Sequence, residues 1–521
     1  MESAAPASSV GDYLDAARAR LVGIRGPGEV SWRELVDRSL GPTYSRGDLT
    51  NLARAVQLLV NLLEGDGRFA DALREIDNAL GYARHDPGAT ASLNALKAAM
   101  LAGRGDPEGA ILLSSESAAA ALAHLEDDAL LQALVLCKAA RLQALKAPGP
   151  SFDRLFAEVV AAGRPLDQLF LLSWLVPALA ARGEVDEARP RIRAMAAVAL
   201  AESAVFRGAD VVVFRYWANA IAAPAHELPE FEGRQKVNAL AVFRLRALKV
   251  WRALILRERP AVPAALAALD LARGRLGADA GDAGNWVVLA SAWFGEGVES
   301  IPVPPQRPPT LANLASRLAG AYAAALAGTP LEAKHWFAEV GRLRTAGIRS
   351  SLELPVSVDR IYGLLALRSG KAASARRYME DAAEWATAAG LEAEACLATI
   401  QAGELGEKLR TNGEPGSPVR QRIAAAAARL VELGIEPIPH RFAIHEAWDA
   451  AALRTRSAML TPREVEVLQH LAGGETYKET AEALGIAWST VRTVAHRVHG
   501  KLGVERRIDA IRVARKMSLI E

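Results

Sequence analysis

LLVNLLEGDGRFADALREIDNAL, residues 58–80, reads as one apolar helix, a glycine-marked turn and a second helix. Leucine, valine and isoleucine recur at helical spacing on both sides of the turn, as a buried helix face requires. Gly67 is placed to end the first helix in a left-handed conformation. Ala72 falls where the second helix approaches the first, a position at which a larger side chain would hold the two apart. The same pattern, glycine, four residues, alanine, recurs at Gly105–Ala110, Gly183–Ala188, Gly328–Ala333 and Gly370–Ala375. Ala72, Ala110 and Ala188 are 38 and then 78 residues apart, and 78 is twice 39. Chance recurrence in an Ala- and Gly-rich chain could place single copies, but five copies in one local helix–turn–helix context predict stacked helical hairpins.

Around this repeat, residues 48–433 read as successive amphipathic helices. Alternating strand patterns are almost absent; the VVVF run at 211–214 is the best candidate and sits in a helical context. The predicted class is therefore all-α: an α-solenoid of helical hairpins followed by a small four-helix domain. The array resembles tetratricopeptide repeats, best at 48–84, 165–201 and 311–390, though the match is degenerate and no repeat can be placed between 205 and 300. IPVPPQRPPT at 301–310 cannot be helical, because each proline removes a donor and restricts its predecessor. Helices resume at once, so an ordered crossover loop is expected there. TNGEPGSPV at 411–419 and GIEPIPHRF at 434–442 mark the approach to a hinge. The expected division is 1–436 as a helical-repeat sensor or assembly domain, 437–456 as a linker, and 457–521 as a separate domain.

The 521-residue length exceeds what one compact core accommodates. A net charge of +2 excludes a polycation, so any nucleic-acid affinity must come from a local patch. The two cysteines, Cys137 and Cys396, are too far apart in sequence for a zinc motif or disulfide framework, and both read as buried small hydrophobes. No signal-peptide pattern and no apolar run of membrane-spanning length is found, so a cytoplasmic protein with no membrane contact is expected.

From Ser457 the pattern sharpens. TPREVEVLQHLAGG places Thr461 as a helix cap, Pro462 at the first helical position and Glu464 at the third. A second helix is predicted over 476–484, a third over 488–502 and a fourth over 507–517. Two short helices joined by a turn at Gly485 make a helix-turn-helix. On the third helix Val491, Val494, Val498 and Leu502 form an apolar stripe flanked by Ala495. Ser489, Arg492, Thr493, His496 and Arg497 lie opposite, without a carboxylate among them. Such a face suits insertion between phosphate walls, where Arg reads guanine and Thr meets a thymine methyl or a phosphate.

Residues 460–513 resemble the C-terminal DNA-binding domain of the LuxR family of bacterial regulators. LTPREVEVL (460–468), the KE of YKETAEALGI (477–486), TVRT (490–493) and KLGVERR (501–507) carry the likeness. The resemblance implies that Arg492 and Thr493 contact bases and backbone, and that Thr476 and Lys478 lie where side chains and backbone N–H groups face phosphate. It implies further that Thr490 touches a phosphate and that the fourth helix makes dimer contacts around Ile508, Ile511, Arg512 and Arg515; His496 and Arg497 join the DNA contacts through their place on the exposed face of the third helix. Three positions depart from the family pattern: Val494 for His, Ala487 for the Ser cap and Trp488 for a common acidic residue.

No GxxxxGK[ST] motif, receiver-like alternation, catalytic constellation or metal-ligand cluster is found, so the reading is a non-enzyme with no cofactor and no metal. Its expected partners are double-stranded DNA, a second copy of the chain and RNA polymerase, with a peptide or small-molecule effector on the array. Arg215, Trp217, Asn219 and Trp286 are the candidate effector contacts, because aromatic and polar residues cluster there where the repeat is weakest. Two other readings compete: a sigma-factor-like promoter-recognition protein, and a helical-repeat scaffold that binds no DNA.

Overall fold

In the computed structural model of the chain, the described residues are 49–65, 68–201, 205–221, 239–274, 283–296, 298–409, 418–436, 460–502 and 506–516, with the single positions 40, 224, 276 and 520. Among them the structure is α-helical throughout and contains no strand. The first helices are α1 (Leu49–Gly65), α2 (Phe69–Ala83), α3 (Pro87–Gly103), α4 (Pro107–His124), α5 (Asp127–Gln143), α6 (Pro150–Ala161), α7 (Pro165–Arg182) and α8 (Val185–Ala201). Then come α9 (Val205–Ala220), α10 (Ala239–Ile255), α11 (Val262–Gly274), α12 (Ala283–Trp293) and α13 (Leu314–Ala327). The array continues through α14 (Pro330–Thr345), α15 (Val358–Arg368), α16 (Ala372–Ala388), α17 (Glu392–Leu409) and α18 (Pro418–Glu432). Consecutive helices pack on one another along this whole stretch. Among the described residues no helix is long and apolar enough to cross a membrane. The predicted linker at 437–456 lies outside the described residues.

All five repeat alanines, Ala72, Ala110, Ala188, Ala333 and Ala375, are completely buried, which is what close helix approach demands. The glycines divide. Gly105, Gly183 and Gly370 adopt the left-handed conformation expected of them. Gly328 does not: its backbone is extended, and the turn is made by Thr329, whose hydroxyl and backbone N–H exchange hydrogen bonds with Glu332 to start α14. Gly67 lies outside the described residues.

The array has two cores that share one helix. Leu52 to Ala140 form the first and Val135 to Ile435 the second. Helix α5 serves both, turning Ala133, Leu136, Cys137 and Ala140 to one side and Val135, Ala139 and Leu142 to the other. Burial pushes the Cys137 thiol up to about 12, so it behaves as an apolar filler. Cys396 is only half-buried, which corrects the expectation that both cysteines are core residues.

The stretch between 205 and 300 continues as helices α9 to α12, and VVVF at 211–214 lies within α9. After α10 the repeat is hidden because the turn is made by a residue other than glycine. Arg257 takes the left-handed conformation, with its N–H on the Leu254 carbonyl and the Glu258 N–H on that of Ala253. Gly183 and Glu184 make the same pair of bonds to Ala180 and Leu179. Leu145 and Lys146 repeat the arrangement after α5.

The proline-rich segment 301–310 is an irregular crossover, as expected, and side chains from the neighbouring helices hold much of its backbone. Trp336 Nε1 donates to the Pro302 carbonyl (2.9 Å) and Ile301 N–H donates to Glu332 (2.7 Å). The buried Arg317 donates to the carbonyls of Pro305 and Arg307 and to Glu339 (2.7 Å). At its end Leu311 N–H donates to the Gln143 carbonyl (3.0 Å), and beyond α14 the N–H groups of Arg349 and Ser350 converge on the Ala181 carbonyl (2.7 and 3.1 Å). The stack is therefore tied across distant turns as well as between neighbours.

Candidate nucleic-acid interface

The last four helices among the described residues are α19 (Pro462–Ala472), α20 (Tyr477–Ala483), α21 (Trp488–Leu502) and α22 (Arg507–Lys516). The first two begin with the same device. Thr461 accepts from Glu464 N–H (3.3 Å) and Glu464 accepts from Thr461 N–H (2.7 Å). Thr476 and Glu479 repeat this with the same distances. Each box satisfies two otherwise orphaned helix-end donors. The hydrogen bonds from the Thr476 backbone and hydroxyl hold the Glu479 carboxyl below its ordinary value. The Thr476 hydroxyl, expected at phosphate, thus already serves as a helix cap.

Gly485, left-handed at φ 62°, turns the chain from α20 into α21, and Ile486 N–H closes the turn on the Ala481 carbonyl (3.0 Å). Val491 and Ala495 pack with Val467, Leu471 and Ala481, while Val498 packs with Leu468, Ala510 and Ala514. Half-buried Val494 touches both groups, so the departure from a family His joins two small cores. Two arginines hold the bundle from outside: Arg463 donates to the Leu484 carbonyl (3.0 Å) and Arg507 to that of Leu471 (2.6 Å).

Every sequence-predicted DNA contact is exposed: Thr476 at the cap of α20, Lys478 within it, and Ser489, Thr490, Arg492, Thr493, His496 and Arg497 on α21. No acidic residue occurs anywhere along α21. The Thr493 hydroxyl donates to the Ser489 carbonyl (2.9 Å), which leaves its oxygen as an acceptor and its methyl outward. Half-buried His499 is held below its ordinary pKa by burial first and by His496 second. In the sequence Trp488 reads only as a departure from a family pattern; the structure sets it beside Arg492, a contact that the i, i+4 spacing permits. On α22, Ile508 and Arg512 are exposed and Ile511 is half-buried, with Arg512 bonded to Asp509 (2.7 Å).

The four candidate effector contacts do not converge. Trp217 and Trp286 are buried in the large array core, while Arg215 and Asn219 are exposed on α9. Residues 215 and 219 occupy one helix face and 217 the other, so their proximity in sequence does not make one surface.

Bundle, turn and carboxylate-free exposed helix together define a LuxR-type helix-turn-helix domain. Residues 458–514 match the family model described as "Bacterial regulatory proteins, luxR family". The chain is also similar to the "Probable HTH-type transcriptional regulator GfsR" of Streptomyces halstedii, at 32% identity over 113 residues. That similarity covers 22% of this chain and 41% of the relative, so less than half of the relative's length is spanned. No solved structure matches significantly.

Proposed function

We propose that the chain is a sequence-specific DNA-binding transcriptional regulator that inserts α21 into the major groove. The observation that carries this reading is the α21 face itself. Ser489, Arg492, Thr493, His496 and Arg497 stand exposed on a helix without an acid, backed by a core that fixes their direction. Lys478 and Thr490 lie at the margins, where they would contact phosphate. The printed name of the relative, an HTH-type transcriptional regulator, supports the same reading.

In this proposal the helical array is the input, taking a peptide or small-molecule effector, and the α22 surface around Ile508 pairs two copies. RNA polymerase is the downstream partner, and the chain works in the cytoplasm without a cofactor or catalytic step of its own. An effector acts only by binding two states of the array with different affinity. The test is binding of the full chain to genomic fragments over a range of salt. A sequence-selective complex whose log affinity falls linearly with log salt is expected. Binding that is absent, or indifferent to sequence, would sink the proposal.

A further inference from the structure

Trp488 opens α21 with 49% of its surface exposed, although tryptophan is highly buried on average. It borders the apolar stripe of the helix, yet the cores beneath are filled by Val491, Ala495 and Val498 without it. One turn on, the Arg492 guanidinium carbon lies 5.6 Å from the Trp488 ring centroid. Both residues are exposed; Arg492 adjoins His496 and Ser489 on the outer face of α21, and Trp488 stands at the margin between that face and the core.

At this distance the indole can engage the flat face of the guanidinium, an arrangement that leaves the N–H edge outward. That edge is the part of arginine that pairs bidentately with guanine O6 and N7. The indole thus limits the orientations Arg492 would otherwise lose on binding, at a position where orientation decides whether the fork meets its base. The indole has a contact of its own to make. Its apolar edge complements the C5-methyl of thymine, which is the one apolar feature of the major groove. Four residues of helix advance about 6 Å, which is roughly two base steps at the rise of a DNA strand.

We propose that Trp488 and Arg492 form a single reading unit, in which Arg492 takes a guanine and Trp488 both orients it and contacts a thymine methyl within two base pairs. This rests on the DNA-binding reading above and adds the base pair of residues that sets its specificity.

The experiment is in vitro selection of binding sites from randomised duplexes by the full chain, comparing wild type with Trp488→Ala, Trp488→Phe, Arg492→Ala and Arg492→Lys. Wild type is expected to select a guanine and a thymine no more than about two base pairs apart. Trp488→Ala should erase the thymine preference and weaken selected-site affinity by about three-fold, with affinity for random DNA unchanged. Trp488→Phe keeps a flat apolar ring and should restore most of both preferences. Arg492→Ala and Arg492→Lys should lose the guanine, since a lysine lacks the planar fork. A Trp488→Ala protein that selects the wild-type site with unchanged base weights overturns the proposal. A wild-type protein that selects no site removes the DNA-binding reading, a distinct failure. Folding is checked by circular dichroism, and Trp488→Phe separates loss of the ring's contacts from loss of structure.

Discussion

Gly183 and Trp385 are in contact although they stand in different repeats, α7 and α16. A Cβ on residue 183 would fall within the van der Waals envelope of the Trp385 indole. The same glycine ends α7 at φ 75°, a conformation L side chains disfavour. Two independent constraints therefore require that residue 183 carry no side chain.

Gly183→Ala should accordingly destabilise the array by about 1–2 kcal/mol for the left-handed backbone, with a further penalty of about 1–3 kcal/mol for overpacking. Urea denaturation of the full chain measures the sum. Adding Trp385→Ala to Gly183→Ala should recover the overpacking share and leave the backbone share. Equal losses for Gly183→Ala in the two backgrounds would show that the indole takes no part.

Arg360 on α15 is fully buried and bonded to both Glu394 oxygens (2.6 and 2.9 Å) and to the Tyr322 hydroxyl (2.8 Å). Burial opposes its charge, but Glu394 and Tyr322 more than offset that and raise its pKa. Glu394→Gln leaves a buried cation without its counter-charge and should cost about 3–5 kcal/mol. A loss below about 1 kcal/mol would place the pair among surface-like bridges.

The His499 imidazole has a folded pKa below 6.5, from burial and from His496. Between the folded value and 6.5 the unfolded chain binds more protons, so stability of the C-terminal domain rises with pH through that window. The urea midpoint should fall on acidification from about pH 7 to 5. His499→Gln should flatten that slope. Glu479, whose carboxyl is lowered, contributes only at more acidic pH. A midpoint that holds or rises on acidification contradicts the assignment.

Both small cores of the C-terminal bundle draw only on residues from Leu460 to Ile520. Residues 457–521 alone should therefore fold, and bind DNA with sequence preference. In that fragment Arg492→Ala should cost about 1–3 kcal/mol of specific binding. Full chain and fragment should differ in affinity if the array governs the domain. Identical affinity and sites, with and without candidate effectors, would leave the array as an assembly platform.

How far the sequence could be read depended on which residues carried the signal. The repeat alanines stood out because only a small residue fits where helices touch, and all five are buried. The capping pairs Thr461–Glu464 and Thr476–Glu479 use side chains whose chemistry is specific to helix starts; the first box was read in advance, the second only from the structure. The turns at Leu145 and Arg257 were silent, because there tertiary packing imposes a backbone that neither side chain advertises. Trp217 and Trp286 look alike in sequence whether they face a ligand or a core, and burial alone separated them from Arg215 and Asn219. The placement of Arg492 over Trp488 needed side-chain directions that spacing only suggests.

The bond from Leu311 to Gln143, and those from Arg349 and Ser350 to Ala181, set a timetable for synthesis. Each carbonyl leaves the ribosome about 170 residues ahead of its partner. At about 5–20 residues per second that is a wait of roughly ten to thirty seconds. During the wait, the Gln143 and Ala181 carbonyls, at the ends of α5 and α7, stand exposed without the donors that later hold them. A nascent chain tied in this way should lean on holdase chaperones more than a stack closed turn by turn. Slowing translation before codon 311 should lengthen that exposure, and the yield of folded protein should depend on chaperone supply accordingly.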